Sequence, residues 1–316
     1  MATHQVLTPE EIAAQAGSKI PYLRLPARPS VFADRASRLE ALAPGHPMQG
    51  YLALMAEVAR AQHEALAAMP PVRLPAPELV DQCNEHGMPP LNHATHARDP
   101  NWCDVTRRLL RALSERTAGV AREVIVRLEQ SRDELYEAQA SKLLGGITFG
   151  LDPATAPLIA AGLQVYFSHL VIALGESAFP RLDVGTVCPC CGSRPTASVA
   201  RIGSVEAGYR FLHCALCSAQ WHMVRIKCSN CESTKGISYQ SLDDGARAVE
   251  QVVRAECCEE CGTYLKIVSM ERDPGAEPTA DDLATVALDL LVSDTGKQSA
   301  GVNFMLIHGD PGAGEA

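Results

Sequence analysis

Four Cys-x-x-Cys pairs constrain this chain more than anything else in it: Cys188/Cys191, Cys214/Cys217, Cys228/Cys231 and Cys258/Cys261. A turn of this type puts two sulfurs on one side of a tight loop. Two such turns complete a four-sulfur grip on one tetrahedral ion. Ten of the twelve cysteines lie between Cys188 and Cys261. The first two pairs are separated by 22 residues and the last two by 26, and both gaps read as a hairpin. In the stretch CPCCG at 188–192, the proline and glycine suit a sharp turn. We read two sequential four-cysteine ribbons, joined by the strand that contains Trp221. A cross-braced arrangement, first pair with third and second with fourth, fits the same spacing.

The start, MATHQVLTPEEIAAQAG, has no basic region ahead of an apolar core, so it does not read as a secretory signal. The expected location is the cytoplasm. There thiols stay reduced, and paired cysteines bind metal or do redox work rather than staple a fold. A thioredoxin-type pair opens a helix after a strand, whereas these pairs sit between short strands. Four thiolates suit zinc and iron equally. With all four positions filled by protein, no open position remains for substrate or water, which points away from hydrolysis. Cys190 and Cys257 are spare thiols. Cys190 takes the variable position of its turn, which usually faces outward. Cys83 and Cys103 stand alone and read as ordinary core or surface residues.

The chain has 316 residues, enough for roughly two domains, and 47% of them are hydrophobic, so it should be globular. Its net charge of −9 argues against a general nucleic-acid binder. Over 181–270 there are ten Lys+Arg and nine Asp+Glu, a balance of +1; after 270 there are two and nine, a balance of −7. The longest apolar run, 157–175, is near spanning length but carries Gln164, Ser168 and His169. It reads as a buried core helix rather than a membrane span.

Residues 1–180 read as helices. Thr8-Pro9-Glu10-Glu11 is a capping box, Ser30 can cap a helix through Leu42, and helical spacing runs from Pro47 to Met69. A proline-rich connector follows at 70–77, and 84–101 reads as an irregular loop. Helices are then expected at Asn101–Ser114, about Ala118–Gln130, from the capping box Ser131–Glu134 to Gly145, and after Asp152-Pro153. From Arg181 to Met270 short β-type runs replace them, and one amphipathic helix at about Ala280–Val292 follows. The predicted fold class is α+β: an α-helical domain at 1–180, the first ribbon at 181–227, the second at 228–270, and a C-terminal helix and tail at 271–316.

Other constellations carry less. His86, His93 and His96 share the loop without ligand spacing, and read as surface histidines. His213 and His222 read as neutral residues on the ribbon surface. The glycine-rich end GDPGAGEA lacks the Gly-Lys-Ser/Thr ending of a phosphate loop, and no Gly-x-Ser-x-Gly elbow occurs.

The chain resembles the formate dehydrogenase accessory protein family, FdhE. The resemblance lies in CPCCGSRP at 188–195, YRFLHCALC at 209–217, WHMVRIKCSNC at 221–231 and CEECGTYLK at 258–266. PYLRLP at 21–26, RASRLEALA at 35–43 and ADDLATVALDLL at 280–291 extend it over most of the chain. It implies a helical domain followed by two rubredoxin-like modules. It implies a non-catalytic accessory protein that binds the catalytic subunit of respiratory formate dehydrogenase before export. It adds weight to iron, with Cys188, Cys191, Cys214, Cys217, Cys228, Cys231, Cys258 and Cys261 as ligands. Cys190 and Cys257 stand where the resemblance implies other residues. The rival readings are a rubredoxin-like redox protein acting on that client and a zinc-ribbon nucleic-acid binder. No nucleic-acid partner and no membrane insertion are expected.

Overall fold

The computed structural model describes residues 20–202, 209–242 and 252–307. The Thr8–Glu11 capping box, residues 248–251 of the AVEQVVRAEC run and the GDPGAGEA end lie outside the described residues. The architecture is α+β, as predicted. Its first part holds helices α1 (Val31–Leu42), α2 (Gln49–Ala67), α3 (Pro77–Glu85), α4 (Asn101–Ser114), α5 (Gly119–Glu129), α6 (Asp133–Leu144) and α7 (Ala156–Leu174). Helix α3 fills the stretch between the expected connector at 70–77 and the expected loop at 84–101, and overlaps each by one or two residues. Proline at its first turn sets the φ a helix needs, and only Val80 and Cys83 are buried along it. The predicted Ser131 cap is not used. The Ser131 hydroxyl bonds back to the Arg127 carbonyl of α5 at 3.1 Å, and α6 starts after Arg132.

Helix α7 is apolar nearly all round and buried along most of its length, as a central core helix must be. Length and composition alone would let it cross a membrane, but 78% of its most apolar window lies inside the protein. Its polar interruptions are internal ties. Gln62 Nε2 donates to Gln164 Oε1 at 2.9 Å, and Gln164 in turn donates to the Ala215 carbonyl at 2.7 Å. Helices α4 and α7 cross closely because Gly162 has no side chain: a methyl there would overlap the Thr106 side chain. Gly162→Ala is expected to lower the urea midpoint. Overpacking against a buried β-branched residue costs up to about 3 kcal/mol, more than the roughly 1 kcal/mol of helix propensity an alanine adds. A midpoint at or above the parent value would show that the two helices separate freely.

Strands β2 (Pro195–Ala200), β3 (Arg210–Cys214) and β4 (Gln220–His222) form the first ribbon. Strands β5 (Ile237–Gln240), β6 (Val253–Cys258) and β7 (Thr263–Ser269) form the second. The ribbons are not separate in space. Strand β2 pairs in parallel with β7, Ser198 opposite Ile267, so both join one sheet, with β1 (Leu23–Arg24) at one edge, in the order β1-β4-β3-β2-β7-β6-β5. The strand carrying Trp221 links the ribbons along the chain but sits far from that junction. It pairs instead with β1 (Leu23–Arg24), Trp221 opposite Leu23. A short strand β8 (Gln298–Ser299) runs beside β7.

The C-terminal helix is split at Thr285 into α8 (Pro278–Ala284) and α9 (Val286–Asp294). The Thr285 hydroxyl bonds back to the Asp281 carbonyl at 2.8 Å, which competes with the helical ladder. The break turns the Asp282 carbonyl toward the buried Lys266 ammonium, which donates to it at 2.6 Å and to Asp289 at 2.6 Å. The acidic balance of this segment is therefore not a solvated face. Glu277 pairs with buried Arg35 at 3.1 Å, and Asp281 and Asp273 both pair with Arg38 at 2.6 Å.

Candidate metal centres

Each Cys-x-x-Cys segment folds as a knuckle with the same backbone device. The residue after the second cysteine adopts a left-handed conformation: Gly192 at φ 69°, Ser218 at 58°, Glu232 at 60° and Gly262 at 68°. In three knuckles its N–H then donates back to the carbonyl of the first cysteine: Gly192 to Cys188 at 2.8 Å, Glu232 to Cys228 at 3.1 Å and Gly262 to Cys258 at 3.1 Å. Glycine adopts this conformation freely, and other residues at a cost of roughly 1–2 kcal/mol. Where glycine is missing, the side chain has work elsewhere. Ser218 accepts from Arg35 at 3.4 Å, and Glu232 accepts from the Gly185 N–H at 2.9 Å and pairs with Lys227 at 3.0 Å.

The knuckles bring the eight predicted cysteines together as two groups: Cys188, Cys191, Cys214 and Cys217, then Cys228, Cys231, Cys258 and Cys261. The cross-braced pairing does not occur. Within each group the sulfurs lie within 4.8 Å of one another. Cys188–Cys217 are 3.6 Å apart, Cys191–Cys214 3.4 Å and Cys191–Cys217 3.7 Å. In the second group Cys228–Cys261 and Cys231–Cys258 are both 3.7 Å apart. A disulfide needs about 2.05 Å, while a tetrahedron with metal–sulfur bonds of about 2.3 Å has edges of about 3.8 Å. The spacing fits an ion and not a staple.

The electrostatics agree. Burial pushes the Cys188 thiol up. The neighbouring thiols of Cys190, Cys191, Cys214 and Cys217 outweigh that by hydrogen bonding to its charged form, and hold it well below the ordinary range. Burial lifts Cys191 and Cys217 well above that range. Several buried thiolates at van der Waals separation need a cation between them. In the second group burial raises Cys261, but hydrogen bonds from Thr263 and Asn230 outweigh it and bring the thiol to about 6. Backbone N–H groups of Leu216 and Cys217 point at the Cys214 sulfur, each at 3.4 Å. Both donor sets are therefore able to hold a thiophilic ion such as zinc or iron.

The spare thiols have structural explanations. Cys190 does not face outward; it is wholly buried beside the sulfur group. Its carbonyl accepts the Leu91 N–H at 3.0 Å, so the loop at 84–101 clamps the knuckle and closes the outward face. Cys257 and Cys258 are neighbours on strand β6, so they point to opposite faces. Cys258 joins the sulfur group, and Cys257 packs with Val253, Tyr264 and Val292.

Among the histidines, His93 is a clamp: its N–H and its Nδ1 both reach the Cys191 carbonyl at 2.9 Å. His96 Nε2 meets the Tyr166 hydroxyl at 3.3 Å. His213 is not on the ribbon surface. It is buried between Gln220 and Thr279, and burial holds its ring down at about 3. No histidine joins either sulfur group among the described residues. Sequence reasoning missed the clamp because loop and knuckle are far apart in the chain.

Comparison with known proteins places these centres in context. Three family models match the chain: FdhE, N-terminal, over 20–183; FdhE, central domain, over 187–225; and FdhE, C-terminal domain, over 226–306. A protein FdhE homolog of Pseudomonas aeruginosa is 39% identical over 306 residues, 96% of this chain and 98% of that one. Protein FdhE of Salmonella dublin is 36% identical over 297 residues, 94% of this chain and 93% of the other. The crystal structure of the FdhE protein from Pseudomonas aeruginosa superposes with a TM-score of 0.79 at 37% identity, covering 92% of this chain and all of that one.

Proposed function

Because the chain belongs to the FdhE family, we propose that it is a non-catalytic accessory protein for respiratory formate dehydrogenase. It binds the catalytic subunit in the cytoplasm while that subunit matures, before export. The eight knuckle cysteines hold two ions. The helical part up to about residue 180, the ribbons at 181–227 and 228–270, and the C-terminal segment act as its working units. The observation that carries this reading is the closed geometry: four protein sulfurs meet at each centre, so a bound ion keeps no position for substrate. A binding role follows more directly from such centres than a chemical one. Iron is the metal this reading favours.

Trp221, on the strand that joins the ribbons along the chain, offers no surface to a client. It is wholly buried, and its indole donates to the Gly185 carbonyl at 2.7 Å. A second reading, a rubredoxin-like redox protein acting on the same client, is favoured by the exposure of Cys231. The test is affinity capture from anaerobically grown cells that produce formate dehydrogenase. The catalytic subunit should co-purify with the parent chain. Paired replacement of Cys228 and Cys231 by Ser should cut its recovery about tenfold or more, a loss of at least ~1.4 kcal/mol of binding. Recovery equal to the parent, with the helical signal intact, would move recognition onto the helices. Iron that cycles between redox states with turnover of the client would favour the second reading.

A further inference from the structure

The two centres are chemically alike but built into different surroundings. We infer that the second centre is an exchange site, which releases and takes up a thiophilic ion through its Cys231 corner while the first centre retains its own. This rests on the reading that the eight cysteines hold two ions.

Access is the first argument. Cys188, Cys191, Cys214 and Cys217 are each 0% exposed and belong to the main core with the helices. In the second centre Cys231 is exposed and Cys261 half-buried, and none of the four ligands belongs to either core cluster. Asn230, Glu259 and Glu260 around it are exposed as well. An external chelator therefore reaches the Cys231 sulfur without any element moving.

Confinement is the second. Both first-centre knuckles are tied to the helical part by their carbonyls. Leu91 N–H donates to Cys190 and His93 N–H to Cys191, at 3.0 and 2.9 Å. Gln164 holds Ala215 at 2.7 Å, and the Ser168 hydroxyl holds Cys217 at 3.2 Å. Opening that centre means peeling α7 and the loop at 84–101 away together. The second centre has local partners: the Thr263 hydroxyl at 3.1 Å from the Cys261 sulfur, and the Asn230 amide at 3.8 Å. Two ion pairs flank it, Lys297–Glu259 at 2.9 Å and Lys227–Glu232 at 3.0 Å, both partly open to water, and Glu232 accepts from the Gly185 N–H of a turn rather than from a helix. Local opening there disturbs little buried structure.

Exchange moves no electrons. The ion passes to an external ligand as its bonds to sulfur break. Each freed thiolate takes up a proton or binds the next ion.

The test uses the full chain loaded with two equivalents of zinc. The chelating dye 4-(2-pyridylazo)resorcinol reports release, and N-ethylmaleimide with peptide mapping reports which thiols open. One equivalent should transfer about tenfold or more faster than the other, a modest difference in barrier. Cys231 and Cys261 should be alkylated in that fast phase, with the four first-centre cysteines still protected. Cys231→Ser should remove the fast phase and keep one slow equivalent. Two equivalents leaving in a single phase, or first-centre cysteines alkylated as fast as Cys231, would overturn the assignment while leaving the metal reading intact. A chain that never takes up two equivalents would overturn both.

Discussion

Cys191→Ser is expected to cost the chain its fold, helices included. A structural zinc site contributes about 10–16 kcal/mol of apparent binding energy, and domains are stable by only about 5–15 kcal/mol. Sequence spacing alone makes each ribbon an independent unit, whose loss should spare the helical part. The structure argues otherwise for the first one. Its four sulfurs sit in the same core as Phe167, Leu170 and Val171 of α7, and two α7 side chains bond its knuckle carbonyls. Cys231→Ser, at the exposed centre, should leave the helices cooperative. Circular dichroism at 222 nm through a thermal melt separates the cases. A Cys191→Ser protein with the parent's helical signal and midpoint would mean that the first centre is an appendage rather than part of the core.

Glu256→Ala is the second large effect. Arg210 of β3 and Glu256 of β6 form an ion pair at 2.8 Å with side chains 0% and 3% exposed. It reaches across β2 and β7 and so ties one ribbon to the other. Arg210 also donates to the Lys227 carbonyl at 2.9 Å, and Glu256 accepts from Tyr239 at 3.1 Å. Removing the carboxylate leaves a guanidinium buried without its counter-charge, which costs about 3–5 kcal/mol. An apolar pair of similar volume avoids that penalty, so Arg210→Met with Glu256→Leu should lose less than the two single changes added together. Urea unfolding of the four proteins measures the coupling. Losses below about 1 kcal/mol that simply add would show that water reaches the pair.

The legible parts of this molecule are those written in local spacing. Cysteine pairs separated by hairpins and the apolar run of α7, the helix that follows Asp152-Pro153, depend on neighbours in the chain. The illegible parts depend on partners far apart. The parallel pairing of β2 with β7 leaves no signature in either strand, since both read as short buried runs. Leu23–Arg24 is too short to read as a strand until Trp221 is beside it. Asp273, Glu277, Asp281, Asp282 and Asp289 read as part of an acidic tail because Arg35, Arg38 and Lys266, which pair with them, lie far upstream or across the sheet. The outward position expected for Cys190 failed for the same reason: a remote loop covers it.

The β2–β7 junction also sets a timetable for synthesis. Strand β2 leaves the ribosome early, yet its second partner exists only after the whole second ribbon has been made. Until then one edge of β2, with Ser198, Val199 and Ala200, presents unpaired backbone groups, and an open edge invites pairing with another chain. A nascent first ribbon thus keeps that edge open for as long as it takes the second to be made and to fold.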